Sequence, residues 1–405
     1  MAADKKMGNH SKYKVGIFGG TFNPPHIGHI ESAKYAVAQL GLDKLIVVPA
    51  GVPPHKDIPD DAPPAAMRLQ MTCEAFQGVS KAEVSEIEIS GSGPNYTVDT
   101  VSVISREHPG AELFLIVGTD MYLSLETWKD SETLLKSITP AVLSRSAGET
   151  AKTEEYSRIL IERHGTGTVI LTNDIIDISS SQLRRLLPER EGLGYIIDAT
   201  YSYIIQNRLY GAKPDWAWLR SKAYAMLSDS RIPHVAGCER EALSLADRWG
   251  ANRDDAQEAA ILHDITKNLS ESRHTEILEK HGLTDAAPGR GEGKLFHSIT
   301  GALAAADVFG VSRTVAEAIR WHTTGKPDMS ALEKIIYLAD YIEPTRNDEG
   351  IEGLGKLREL AYADLDAAMI LGLRMSIDDM QERSISPNKM TFDALESLLP
   401  QAGRD

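Results

Sequence analysis

The stretch KVGIFGGTFNPPHIGH, Lys14 to His29, decides how the first half of this 405-residue chain folds. VGIF is a short apolar strand, and the residues after it predict a tight turn at Gly19 and Gly20 that feeds a helix. Neither glycine carries a Cβ, so the backbone can turn sharply there and lie close to a ligand. Pro24 and Pro25 set φ for a helix start and remove N–H groups that the first turn leaves unbonded. His26 and His29, three residues apart, share one face of that helix at its positive end. Backbone donors, helix dipole and two imidazoles converge on one place, which suits a polyphosphate. The run lacks the GxxxxGK[ST] spacing of a P-loop, so a Walker-type ATPase fits poorly.

Outward from this run, residues 14 to about 210 alternate strand-like and helix-like segments. VGIF, LIVVPA (45–50), EVSEIEI (83–89), LFLIVG (113–118), AVLS (141–144) and TVILT (168–172) are short, apolar and rich in branched residues. Such runs are what buried parallel strands require. Helical patterns such as IESAKYAVAQL lie between them, which predicts a doubly wound parallel α/β sheet with ligands at the carboxyl ends of its strands. A last helix, ATYSYIIQNRLY, is expected to stop at Gly211 and Pro214. From Trp216 to about residue 400 the strand signals vanish and helical periodicity runs on, predicting a separate all-α domain behind a hinge near 211–215. HGLTDAAPGRGEGK (281–294) reads as the most mobile loop, and MAADKKMGNHSKYK at the N-terminus as a disordered lead-in.

Lys and Arg number 43 against 58 Asp and Glu, a net charge of −15. That balance argues against a general binder of nucleic acid or anionic membrane, which needs a cationic footprint. Cys73 and Cys238, far apart, imply neither a disulfide framework nor a zinc–thiolate site. No apolar run approaches the ~18–20 residues that span a bilayer. The polar N-terminus has no hydrophobic core of a secretory signal, so a cytoplasmic protein is expected, with the oligomeric state left open.

Four later segments carry polar groups to the same strand ends. GVPPHK puts His55 and Lys56 on the loop after the second strand, where a cation reaches a phosphate or is merely solvated. GPNYTVDT presents Tyr96 and Thr97 at a helix start, with Thr97 able to cap or to bind substrate. In LFLIVGTDMYLSLETWKD, Gly118 permits close backbone approach and Asp120 can accept from a ribose hydroxyl. Trp128 is either core or a flat platform for a pyridine ring. DISSSQLRRLL sets Ser179 and Ser180 at a helix start with Arg184 one turn on, either an ordinary cap with a surface arginine or a set of anion donors.

In this order, GGTFNPPHIGH, GVPPHK, YTVDT, GTDMYLSLETWKD and ISSSQLR resemble the bacterial nicotinate-nucleotide adenylyltransferase (NadD) family over residues 14–210. The HIGH run is similar to the phosphate-binding (T/H)xGH signature of nucleotidylyltransferases. The resemblance implies ATP and nicotinate mononucleotide as substrates, deamido-NAD and pyrophosphate as products, and Mg2+. It implies ATP contacts from Gly19, Gly20, Thr21, Phe22, His26 and His29, with Gly118 and Asp120 bordering the adenosine. Ser179, Ser180 and Arg184 would complete the ATP set, His26, His29 and Arg184 acting on the phosphates. Lys56, Tyr96, Thr97 and Trp128 would meet the mononucleotide. Asn23 stands where many members have Asp, and Ser181 where the ISST form has Thr; both keep a small polar group.

The helical half holds His234, the adjacent pair His263-Asp264, His297, His322 and Asp340. Lone helix histidines are usually core or surface residues. A His-Asp pair inside AILHDITK and Asp340 inside IIYLADYI, however, interrupt apolar runs, which is costly unless something pairs with them. Imidazoles with carboxylates suit Fe, Mn or Zn. RIPHVAGCE, LHDITK, HSITGA and RWHTTGKPDMSALEKIIYLADYIEPTR resemble the YqeK family of HD phosphohydrolases over about 216–395, within a domain expected to span 216–400. That implies symmetrical hydrolysis of diadenosine tetraphosphate to two ADP. His234, His263, Asp264 and Asp340 would bind one metal, with Asp264 catalytic, and His297 with His322 would complete a dinuclear Fe or Mn centre. Lys267 would meet a phosphate oxygen, or is solvated. The rival readings are a different adenylyl acceptor, such as nicotinamide mononucleotide or phosphopantetheine, and a helical module that senses nucleotides without hydrolysing them.

Overall fold

The computed structural model describes residues 12–52, 59, 62–90, 93, 95–144, 146–172, 176–283, 295–346 and 351–399. The start of the lead-in, His55 and Lys56 of the GVPPHK loop, and residues 284–294 of the loop read as mobile lie outside them. The chain divides into two compact units, Met1–Lys213 and Pro214–Asp405.

The first unit is a six-stranded sheet of β1 (Lys14–Gly20), β2 (Lys44–Pro49), β3 (Ala82–Val84), β4 (Glu112–Gly118), β5 (Thr139–Ser144) and β6 (Val169–Thr172). All pairings are parallel, in the order β3-β2-β1-β4-β5-β6. Its helices are α1 (Ile27–Leu40), α2 (Ala65–Phe76), α3 (Thr97–Glu107), α4 (Thr119–Tyr122), α5 (Ser131–Ser137), α6 (Ala147–His164), α7 (Ser180–Leu186) and α8 (Asp198–Gln206). β1, β2, β4 and β5 read as continuous apolar runs because both their faces are covered, and successive side chains feed alternate cores. Leu45, Val47, Phe114, Ile116, Ala141 and Leu143 enter one core, with α1 residues Ile30, Ala33 and Ala36. Val15, Ile17, Ile46, Val48, Leu113, Leu115, Val117 and Val142 enter the other, with Val101 and Ile104 of α3. Truncating one such buried aliphatic to Ala costs about 2–5 kcal/mol.

Several local expectations need correction. Gly19 and Gly20 are not a turn but the last two residues of β1, in register with Val48 and Pro49. The reversal falls at Phe22, at φ 44°, and its buried ring packs on Phe18 and Phe76 in place of the solvent a turn residue would meet. The two prolines precede the helix rather than open it, because His26 is its extended N-cap. Thr97 does not cap α3, since Tyr96 holds the N-cap position. EVSEIEI pairs only at Ala82–Val84; Ser85 donates the last ladder bond, to Val47 O, and Ile87 then buries through packing on the second core. Finally, α8 ends at Gln206, and left-handed Arg208 and Tyr210 bend the chain back so that the Tyr210 hydroxyl reaches Asn23 Oδ1 at 2.7 Å.

The second unit is helical throughout its described residues: α9 (Trp216–Tyr224), α10 (Ile232–Trp249), α11 (Arg253–Leu262), α12 (Glu271–Lys280) and α13 (Phe296–Phe309). These are followed by α14 (Arg313–Trp321), α15 (Ala331–Ile342), α16 (Leu354–Ala363), α17 (Leu365–Glu382) and α18 (Lys389–Leu398). Side-chain caps set many starts, for example the reciprocal Ser330–Glu333 pair that opens α15. The His263-Asp264 pair is not inside a helix as read; α11 stops at Leu262 and the pair occupies the turn beyond it. No helix among the described residues is long and apolar enough to cross a membrane.

Candidate functional site

In the first unit the strand order reverses between β1 and β4, so the connections leave these neighbours in opposite directions and open a crevice at their carboxyl ends. Gly20 and Gly118 end the two strands, and a Cβ added at Gly19 or Gly118 would meet nothing within 4 Å. The sequence thus leaves open space beside Gly19 and Gly118, whereas Gly20 packs against the Phe22 ring.

The loop after β1 delivers the histidines. His26 is buried and His29 half-buried, with ring centroids 3.7 Å apart. The His26 backbone N–H donates to His29 Nδ1 at 3.2 Å, so the second ring serves as part of the helix cap and is fixed by it. Phe22 stands edge-on to His29 at 5.1 Å. Gly28 is needed between the rings, because a Cβ there would come within 2.9 Å of His26 Nδ1. α7 closes the other side: Ser180 Oγ donates to Pro24 O at 2.9 Å, and Arg184 donates to Asn23 O at 2.7 Å and to Ser181 Oγ at 3.1 Å. Ser179 caps α7 in a reciprocal pair with Gln182. Thr21, Phe22, His26, His29, Ser179, Ser180 and Arg184 are thereby gathered around one loop, 156 to 161 residues apart in sequence across the Ser180 and Arg184 bonds.

Asp120 is exposed on the first turn of α4, directly beyond Gly118. Trp128 donates from Nε1 to Ser124 Oγ at 3.1 Å and packs on the second core. Its neighbour Lys129 lies over the Tyr96 ring at 4.0 Å and bonds Asp99 at 3.2 Å, which brings the Trp128 segment to the start of α3 with Tyr96 and Thr97. Two further residues support these loops. The buried Arg68 donates to Thr21 O, Ala50 O and Gly51 O at 2.6–3.0 Å, tying the loops after β1 and β2 together. Burial lowers its pKa. Asn95 bonds Val52 through its side chain and its backbone N–H, joining the α3 approach to the same loops.

In the second unit five segments converge on one buried polar cluster. α10 supplies His234, the turn after α11 His263 and Asp264, the first turn of α13 His297, the end of α14 His322, and α15 Asp340. Asp264, fully buried, sits at the centre. His263 Nε2 lies 3.5 Å from Oδ2, and His297 Nε2 lies 3.3 Å and His322 Nε2 3.8 Å from Oδ1. His234 Nε2 is 3.0 Å from Asp340 Oδ1, and His297 Nε2 is 3.2 Å from His322 Nε2. Lys267 Nζ is 3.4 Å from Asp264 Oδ1 and 2.9 Å from His297 Nε2.

Several partners escaped the sequence reading. Glu343, buried one turn beyond Asp340, accepts from Thr345 and holds His234 Nδ1 at 3.1 Å, which orients Nε2 toward the cluster. Arg231 pairs with Asp264, and Arg346 with Asp340 at 3.0 Å. Cys238 joins them, its Sγ 3.4 Å from His234 Nε2. The signal was available in spacing: Cys238 follows His234 by four residues, and Glu343 follows Asp340 by three, each one helical turn away.

Electrostatics sort these groups into neutral imidazoles and ionised carboxylates. Burial pushes His263 and His297 down, and His322 down to about 4. Burial would raise Asp264, but His263, His297, Lys267 and His322 outweigh it and hold the carboxyl well below the usual range. Asp340 is likewise pushed up by burial and pulled further down by His234, His263 and His322. His263 Nε2, meanwhile, is buried with no hydrogen bond. An orphaned ring nitrogen among neutral imidazoles and anionic carboxylates fits divalent cations. Two overlapping donor groups lie within 4.8 Å: His234, Cys238, His263 and Asp340, and His263, Asp264 and His322.

Comparison with known proteins agrees with this division. Residues 17–186 match the family model described as cytidylyltransferase-like, and residues 231–345 match the HD domain model. A curated "Probable nicotinate-nucleotide adenylyltransferase" of Pelobacter propionicus is 33% identical over 217 residues, 50% of this chain and 100% of that protein. Another of the same name, from Clostridium acetobutylicum, is 35% identical over 198 residues, 49% of this chain and 98% of that protein. A solved structure from Clostridium acetobutylicum described as a "predicted HD superfamily hydrolase involved in NAD metabolism" is 31% identical, covering 45% of this chain and 96% of that one at a TM-score of 0.42. Through its first half the chain belongs to the nicotinate-nucleotide adenylyltransferase family, and its second half carries an HD domain.

Proposed function

We propose a bifunctional enzyme. Its first unit transfers the adenylyl group of ATP to nicotinate mononucleotide, and its second hydrolyses diadenosine tetraphosphate symmetrically to two ADP. For the first reaction, the carrying observation is the His26–His29 pair and Arg184 around a single loop at the β1/β4 crevice. A phosphate oxygen of the mononucleotide bonds to the α-phosphorus of ATP while the α–β bridging bond breaks and pyrophosphate leaves. The nucleophile is already anionic, so the chain's task is positioning and charge stabilisation. His26, His29 and Arg184 hold the phosphates, with Ser179 and Ser180. Gly19, Gly20, Thr21, Phe22, Gly118 and Asp120 border the ATP, and Lys56, Tyr96, Thr97 and Trp128 the mononucleotide. Mg2+, bound together with ATP, would supply further charge neutralisation.

For the second reaction, the carrying observation is the orphaned His263 Nε2 within its ring of imidazoles and carboxylates. His234, His263, Asp264 and Asp340 would hold one divalent ion, and His297 with His322 would complete a dinuclear Fe or Mn centre. Bound metal supplies an activated water and neutralises phosphate charge. Lys267, beside Asp264 and His297, meets a phosphate oxygen. Water adds to an inner phosphorus and the central bridging bond breaks, so each half leaves as ADP. Offering ATP with nicotinate mononucleotide, nicotinamide mononucleotide or phosphopantetheine tests the acceptor: deamido-NAD should dominate, and preference for another acceptor contradicts the first assignment. With Fe2+ or Mn2+, diadenosine tetraphosphate should yield ADP alone. ATP plus AMP contradicts symmetrical cleavage, and no turnover contradicts hydrolysis and favours a nucleotide-sensing module.

A further inference from the structure

We propose that Cys238 is itself a metal ligand: its sulfur joins His234, His263 and Asp340 around one cation and biases that position toward thiophilic ions. This rests on reading the helical cluster as a metal centre and adds a residue outside the six-residue His/Asp set.

Three observations carry it. Cys238 follows His234 by one turn of α10, so both side chains project from the same helix face into the cluster. Its Sγ lies 3.4 Å from His234 Nε2, and His234 Nε2 lies 3.0 Å from Asp340 Oδ1. Ligand atoms that share one ion at bonds of about 2.0–2.3 Å are separated by roughly 3–3.6 Å, so both spacings suit a common ion. Independently, His263 Nε2, 1% exposed as a residue and without a hydrogen bond, belongs to the same four-donor group within 4.8 Å. These four donors, with Asp264 beside His234 and His263, would give the ion two imidazoles, two carboxylates and one sulfur.

Sulfur is the soft member of that set. Thiolate donors favour Zn2+, Co2+ and Fe2+ relative to Mn2+ or Mg2+, which prefer oxygen. On coordination the thiol proton passes to solvent and the sulfur donates as thiolate. Removing the thiol should therefore weaken binding of soft ions by about 10-fold or more while changing Mn2+ affinity little.

The test uses the full-length, metal-stripped protein titrated with Co2+ alone and followed by absorption spectroscopy. Visible d–d bands report any protein-bound Co2+, and a near-ultraviolet sulfur-to-cobalt charge-transfer band reports a thiolate ligand. The wild type should show both, rising together. Cys238→Ser should keep the d–d bands and lose the charge-transfer band, whereas Cys73→Ser should keep both. Asp264→Ala identifies which d–d bands belong to the cluster. Asp264-dependent d–d bands without charge transfer in the wild type would overturn the sulfur ligand and leave the metal centre standing. If no Asp264-dependent bands form, the metal-centre reading falls and the proposal with it. Because the decisive band is read in the wild type, a poorly folding variant does not remove the test.

Discussion

His29 does two jobs at once: its ring caps the His26 backbone N–H and stands 3.7 Å from the His26 ring. His29→Asn keeps a short side-chain acceptor for the cap but removes the imidazole. It should lower kcat for deamido-NAD formation about 10²-fold, the cost of one preorganised phosphate donor, with the melting temperature nearly unchanged. His322 makes a pH prediction. An unfolded imidazole gains its proton below about 6.5, whereas burial lets folded His322 gain one only below about 4. Between those values the unfolded state holds more protons, so stability is fully present above about pH 6.5 and falls as pH drops toward 4. Calorimetry on metal-stripped protein should show a fall on the order of 3 kcal/mol, or about 10 °C; a flat profile would contradict a neutral buried ring. Residues bearing chemistry inside motifs were legible because their types are conspicuous: HIGH, the His-Asp pair, an aspartate in an apolar run. Arg231 was not, because it acts through Asp264 on the folded chain, and Cys238 and Glu343 left only their one-turn spacing from His234 and Asp340 as a signal.

At the element scale, helix ends and strand ends do the placing. Five segments deliver the metal-type cluster, each from the terminal turn of a helix or the residues next to it, so helix packing sets its distances. Gly237 shows how tight that packing is: a Cβ there would lie 2.3 Å from Glu343 Oε2. Gly237→Ala should displace Glu343, release the His234 ring and weaken divalent-metal affinity about 10–100-fold, measured by titration on the stripped protein. Unchanged affinity would show that Glu343 does not hold His234 in its working orientation. Strand existence could be read from branched apolar runs where a strand is buried on both faces, as β1, β2, β4 and β5 are. Their ends could not. Gly19-Gly20 looks like a turn by composition, yet β2 pairs with both residues, and the bend moves to Phe22, whose buried ring stabilises its φ of 44°. EVSEIEI looks like a strand, but tertiary packing of Ile87 takes over once the edge has no further partner to pair with.

At the scale of the whole molecule, two compact units carry two clusters of unrelated chemistry: a glycine-lined crevice with imidazoles and a guanidinium, and a buried cage of imidazoles and carboxylates. That contrast was legible from the change in periodicity near residue 216, since parallel strands and amphipathic helices leave different patterns. The claim that one chain runs two reactions is tested most directly by a crossed assay on three full-length proteins: wild type, His29→Asn and Asp264→Ala. Each receives ATP with nicotinate mononucleotide in one arm, and diadenosine tetraphosphate with Mn2+ or anaerobic Fe2+ in the other. The account predicts deamido-NAD and ADP from the wild type, loss of deamido-NAD alone in His29→Asn, and loss of ADP alone in Asp264→Ala. A wild type that makes no ADP with either metal, or ADP formation that survives Asp264→Ala, would contradict it.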